Sequence, residues 1–151
     1  MNWLYYDDDN GELQLLDKTV DLDGCYGFVY KITNKETGKF YIGKKIFKNT
    51  KTKQLTKKET QSLPIARGRT PSKKKIITES NWKEYWGSSK ELLDDIKTLG
   101  KDKFERIILD FCLTKKQLTY SEIYHQMVYR VLFIDSYNLN ILGKFFKRDF
   151  A

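Results

Sequence analysis

Apolar residues change their spacing several times along this chain, and each change outlines an element. Residues 26–32 and 39–43 are dense in aromatic and β-branched side chains. Between them lies TNKETGK, in which Asn34 and Gly38 suit positive φ, so the spacing predicts a β-hairpin with a multi-residue loop. Leu92, Leu93, Ile96 and Leu99 recur at helical spacing. Ser88 and Glu91 stand at capping-box distance before them and Gly100 follows as a C′ residue. FERIILDFC, residues 104–112, has too short an apolar centre for a helix and reads as a strand. Thr114 and Gln117 predict a second cap, and a long helix is expected to run to about Asp135. Its expected buried stripe is Tyr120, Ile123, Met127, Val131 and Ile134. The tail from Tyr137 is expected to be extended or irregular.

Residues 46–80 carry no clean period and are interrupted by Pro64, Gly68 and Pro71, which predicts an insertion or long loop with room for short structure of its own. Near the N-terminus, DDDNGEL reads as a turn between two short strand-like pieces. The order of strand, strand, insertion, helix, strand, helix predicts an α+β domain. Its expected core is a small central antiparallel sheet, the hairpin plus a third strand, flanked by helices. Residues 1–24 are expected to form an acidic N-terminal arm, and 25–151 one domain with a basic insertion at 44–80.

Charge sharpens this picture. The 151 residues carry a formal net charge of +8, but the excess is local. Residues 44–75 hold twelve Lys or Arg and a single acid, Glu59. Such a concentration is the pattern of a polyanion-binding element, with Lys73, Lys74 and Lys75 as its densest run. The bland alternative is a solvated lysine-rich loop. No apolar run is long enough to span a membrane, and MNWLYYDDDNGEL lacks the features of a secretory signal. A cytoplasmic protein is therefore expected. Cys25 and Cys112, in no metal or redox spacing, are expected to be reduced, buried thiols. His125 is the only histidine and is expected to pack on its helix. Ser88, Ser89 and Lys90 open a helix whose N-terminal dipole suits a DNA phosphate, or they serve simply as a cap. Trp82, Tyr85 and Trp86 are expected to pack against the sheet, with stacking on bases as the alternative.

Taken together, the residues Tyr41-Ile42-Gly43, Phe28-Val29-Tyr30 after Gly27, and the ten residues between Tyr30 and Tyr41 resemble the GIY-YIG nuclease family. The later helix, strand and Glu-bearing helix continue the resemblance over roughly 25–142. YIGKK and WKEYWGSSKEL are closest to nuclease-like proteins of large tailed phages, which implies a phage or bacterial setting. The second motif word is intact; the first is degenerate, with its glycine displaced to Gly27.

The resemblance implies a DNA endonuclease that hydrolyses phosphodiesters of double-stranded DNA, using Mg2+ or Mn2+ in its place. Glu122 maps to the family's metal-binding acid, and Asn138 to its late asparagine, expected to hydrogen-bond the site and contact DNA unless it is only a turn residue after the helix. Tyr30 and Tyr41 become the catalytic pair. Tyr41 is favoured as the base because Lys44 and Lys45 stand beside it and are expected to depress its pKa from an ordinary value of about 10. The arginine that normally follows YIG is missing, so Arg67, Arg69 or Lys45 is expected to supply the cation. A single site cuts one strand, which makes a homodimer or sequential nicking the route to a double-strand break. The alternative is a catalytically inactive nucleic-acid binder of the same fold, suggested by the degenerate first word and the missing arginine.

Overall fold

In a computed structural model the described residues are 2–64, 68 and 70–151. They form two compact units: residues 1–47 with 81–151, and residues 48–80. Among the described residues no helix is long and apolar enough to cross a membrane.

The larger unit is α+β. Its sheet contains β1 (Trp3–Tyr6), β2 (Leu13–Leu15), β3 (Gly27–Asn34), β4 (Phe40–Ile46) and β7 (Phe104–Cys112), in the order β2-β1-β7-β3-β4. The hairpin and third strand sit where the sequence places them, and β7 spans 104–112 as expected. The sheet is larger than expected because the N-terminal segment joins it. β1 runs parallel to β7 and β2 closes the edge antiparallel to β1. Trp3 explains the attachment. It is fully buried, donates its indole N–H to the Trp82 carbonyl at 2.9 Å and meets Phe28 and Tyr30 edge-on.

The β3–β4 loop is shaped by Asn34, whose Oδ1 accepts from the N–H groups of Glu36 and Thr37, with Gly38 at φ 76°. Asn34 Nδ2 also donates to the Tyr137 hydroxyl, which in turn donates to Asp95 at 2.7 Å. This chain fixes α2 (Lys90–Leu99) against the hairpin. Only Leu92 and Ile96 of α2 are buried; Leu93 and Leu99 of the expected stripe are exposed. The helix starts one residue later than predicted. Its N-cap is Ser89, whose Oγ accepts from Leu92 N–H, so Ser88 lies outside the helix.

α3 (Lys115–Val128) differs most from expectation. It ends seven residues early in a Schellman turn, with Val131 N–H donating to Gln126 O and Arg130 N–H to Met127 O. Arg130 takes the left-handed φ of 53° that glycine usually supplies, so no glycine marks the stop. The predicted stripe is also misplaced: Tyr120 and Met127 are largely exposed. The buried residues of the helix are Leu118, Ser121 and Gln126. Ser121 donates to Asp110 at 2.5 Å and Gln126 to the Ile42 carbonyl at 3.2 Å. Polar residues engaged with the sheet hide the inward face from a hydrophobic pattern. The tail forms a small hairpin, β8 (Asn140–Ile141) and β9 (Phe145–Phe146), whose turn holds Leu142 and Gly143 at positive φ.

The smaller unit pairs β5 (Lys48–Gln54) with β6 (Lys73–Glu79) antiparallel, with α1 (Lys57–Ser62) between them in sequence. Arg67 and Arg69 lie outside the described residues.

Trp3 joins the N-terminal strand to the core, so Trp3→Ala is expected to cost about 3–5 kcal/mol. Urea unfolding should show this as a lower midpoint with an unchanged slope, and an unchanged midpoint would separate β1 from the core's stability.

Candidate functional site

The site grows from the register of β3 and β4. Tyr30 lies opposite Gly43 and Ile32 opposite Tyr41. The two tyrosines are therefore diagonal neighbours on one face of the sheet, with ring centroids 6.1 Å apart. Gly43 makes this possible. A Cβ there would stand 2.5 Å from the Tyr30 hydroxyl oxygen and 2.8 Å from a Tyr41 ring carbon. Gly27 answers a different need on the other face, where a Cβ would collide with the Lys45 carbonyl and the Leu118 side chain. The displaced glycine of the first motif word is thus a packing glycine beneath α3.

The two phenols differ in access. Tyr30 is 1% exposed, whereas Tyr41 is half-buried and its hydroxyl shares a 2.9 Å hydrogen bond with Ser88 Oγ. Burial pushes the Tyr30 phenol well above the ordinary range, with Tyr41 and Tyr85 adding to the rise. Burial also raises Tyr41, although the Ser88 hydrogen bond opposes it. The expected depression by Lys44 and Lys45 is overturned, and strand alternation gives the reason. Lys44 projects to the opposite face, where its ammonium sits 3.5 Å from Glu122 and 3.3 Å from Thr119 Oγ1. Lys45 shares the tyrosine face, but its ammonium lies over the Tyr85 ring, 4.1 Å from the centroid. Burial lowers the Lys45 pKa.

Glu122 is mostly buried on α3, and burial raises its carboxyl above the ordinary range despite Lys44. Its charge is felt by both Tyr30 and Tyr41. Among the described residues no group of three or more His, Cys, Asp or Glu could hold a metal. Glu122 therefore fits only a cation held through one carboxylate, with water and substrate phosphate completing the shell, an arrangement Mg2+ accepts.

Two expected phosphate contacts have other roles. Asn138 is buried; its Oδ1 accepts from Ile42 N–H at 2.9 Å and its Nδ2 donates to Ile42 O at 2.8 Å. Its amide completes the edge of β4 and is not presented to a ligand. Ser89 is spent as the α2 cap and on the Tyr137 carbonyl. Ser88 and Lys90 are exposed. Lys73, Lys74 and Lys75 belong to β6 in the smaller unit.

Sequence reasoning missed Tyr85 and Arg106 as parts of the site's frame. Tyr85 meets Tyr30 edge-on at 6.0 Å and hydrogen-bonds to it. Arg106, 3% exposed, places its guanidinium 4.3 Å from the Trp3 ring centroid and 4.1 Å from that of Trp86. Its Nη1 donates to the carbonyls of Lys83 and Tyr85. Burial lowers its pKa to about 10, with Glu84 opposing. A lone arginine inside an apolar strand was the available signal. Trp82, Tyr85 and Trp86 pack on the core, as expected.

The Glu122 shift has a testable sign. A carboxyl with a raised folded pKa contributes stability below the unfolded pKa and loses it as pH rises through the folded value. Glu122→Gln should therefore unfold at higher urea than the parent at neutral pH, and the gap should close as the pH falls below the carboxylate range. A variant less stable at neutral pH would show instead that the Lys44 pair dominates.

Alanine at Gly43 is expected to push the two rings apart. The check is the alkaline absorbance titration of the tyrosines: a Gly43→Ala profile identical to the parent's would mean that the rings do not need the bare backbone.

The family model described as "Putative endonuclease segE, GIY-YIG domain" matches residues 13–141. Comparison with curated proteins gave no match, and neither did comparison with solved structures. The match spans most of the chain and includes both tyrosines, Gly43 and Glu122. With that match over residues 13–141, and with both tyrosines packed over the bare Gly43 position inside it, the chain belongs to the GIY-YIG nuclease family.

Proposed function

We propose that this protein is a divalent-cation-dependent endonuclease that hydrolyses phosphodiester bonds in double-stranded DNA. The observation that carries the proposal is that the hydroxyl of Tyr41, within a matched GIY-YIG domain, lies within electrostatic reach of Glu122, a carboxylate that burial disfavours.

Hydrolysis needs water to attack phosphorus in line as the P–O3′ bond breaks. Tyr41 holds the attacking water and accepts its proton. Tyr30, too buried to reach substrate, positions Tyr41 through the shared Gly43. Lys45 stands on the tyrosine face, over the Tyr85 ring, and serves the phosphate, while Lys44 orients Glu122. Glu122 would hold Mg2+, which when bound supplies charge stabilisation at the phosphate and leaving oxygen. Ser88 orients the Tyr41 hydroxyl, and Lys90 is placed to meet backbone phosphate. We place the protein among the nuclease-like proteins of large tailed phages, acting in a bacterial cytoplasm. Double-strand cleavage would require two copies or two successive nicks.

A second reading, a DNA binder that has lost catalysis, is favoured by the raised Tyr41 pKa. Incubation with plasmid DNA, with and without Mg2+, separates the two. Tyr41→Phe and Glu122→Ala are each expected to lower cleavage by about 10²–10⁴-fold while DNA affinity holds. Cleavage at parental rates in either folded variant would remove that residue from the mechanism.

Both shifts also predict the pH profile. Glu122 must be ionised, so activity should be lost on the acid side, at a higher pH than an ordinary glutamate would give. Tyr41 must lose its proton, so the rate should climb through neutral pH by about tenfold per unit toward the alkaline limit. A rate flat across neutral and alkaline pH at saturating Mg2+ would exclude Tyr41 as the base.

A further inference from the structure

The smaller unit holds ten Lys or Arg and two Glu, a net +8 equal to that of the whole chain. The register of β5 and β6 distributes the lysines in a particular way. Cross-strand partners share a face, and faces alternate along each strand. Lys48, Lys73 and Lys75 fall on one face; Lys51, Lys53 and Lys74 fall on the other. All but Lys74 are exposed. Neither face is apolar: Ile77 on the first is 64% exposed, and Ile76 on the second stands among lysines. Lys53 and Lys74 are directly opposed, which destabilises a two-stranded ribbon that is marginal to begin with. Within the unit Glu59 offsets this at Lys74, 2.6 Å away.

A ribbon that docked on a polyanion by one face would need cations on that face alone. Cations on both faces suit a partner with anionic walls on both sides. The major groove of B-form DNA, about 12 Å wide and 8.5 Å deep, admits a two-stranded ribbon between two rows of phosphates. Seven residues at about 3.3 Å each give β5 and β6 a length of roughly 23 Å, enough to follow the groove over several base pairs. The major groove of A-form RNA is too deep and narrow for side chains to enter.

We infer that the β5–β6 ribbon enters the DNA major groove edge-first, with Lys48, Lys73 and Lys75 facing one phosphate row and Lys51 and Lys53 facing the other. The inference rests on DNA being the substrate. It adds how the duplex is held: by a clamp that follows groove shape and backbone charge, with lysine point charges in place of bidentate base contacts.

The test is equilibrium binding of the full chain to a short DNA duplex, across a salt series and without divalent cation. Two variants are compared, Lys48→Gln/Lys73→Gln/Lys75→Gln and Lys51→Gln/Lys53→Gln. Each is expected to weaken binding and to make the log–log salt slope shallower by about 0.9 for every phosphate left without its lysine. Arginine at the same positions should restore both, which separates charge loss from misfolding. Duplexes with bulky groups on the pyrimidine 5-position should bind more weakly, and a minor-groove ligand should not compete. An RNA duplex should be insensitive to both variants. The inference is overturned if only one face affects binding, if bulky major-groove groups have no effect, or if RNA responds as DNA does. Plasmid cleavage, read separately, tests the nuclease proposal. A chain that cuts DNA with both ribbon variants binding normally loses the ribbon inference alone; one that binds as described but never cuts loses only the nuclease reading.

Discussion

The candidate site depends on one bare backbone position. Gly43 lies opposite Tyr30 and two residues from Tyr41, and both rings occupy the space its side chain would fill. Diagonal neighbours on a pleated sheet are ordinarily about 7–8 Å apart. Here the missing Cβ lets two aromatic rings settle over the strand, and Tyr85 then closes on Tyr30 from the side. The order of access follows from this packing. The inner phenol is sealed, and the outer one keeps a hydroxyl that reaches Ser88.

The opposite face of the sheet carries the compensating polarity. α3 turns Ser121, Glu122 and Gln126 toward the strands, and two of these are satisfied by hydrogen bonds, the Asp110 carboxylate accepting from the Ser121 hydroxyl and the Ile42 carbonyl from the Gln126 amide. Glu122 is left with Lys44 and with a desolvation cost that Lys44 does not cancel. A carboxylate in that position is short of positive charge. An opposite charge brought near it would lower that cost.

The frame that holds the aromatic cluster reaches back to the N-terminus. Arg106 is sandwiched between Trp3 and Trp86, and it ties the carbonyls of Lys83 and Tyr85 to β7. Its Nε has no partner among the described residues, so the guanidinium is held by stacking and by Nη1. Trp3, from the acidic segment, thereby bears on Tyr85, and it meets Tyr30 directly. The N-terminal strand belongs structurally to the site's support, although it contributes no candidate catalytic group.

Much of this was legible in the residues themselves. The β3–β4 hairpin, β7, the start of α3, that of α2 to within one residue, and the Tyr-Ile-Gly word rest on local alternation, caps and turn residues, which act within a few positions of one another. Tertiary structure decided what local rules do not carry. The inward face of α3 was obscured because its polar residues are bonded to distant groups, Asp110 and the Ile42 carbonyl. Its end was hidden because Arg130 adopts a glycine-like conformation. Asn138 became an edge strap because β4 needed partners for Ile42, 96 positions away in sequence. Lys44 and Lys45 are neighbours in the chain, yet the pleat sends one to Glu122 and the other to Tyr85. Sequence alone determined which groups the site could draw on; the period-two alternation of a strand, and the partners across it, decided which of them meet.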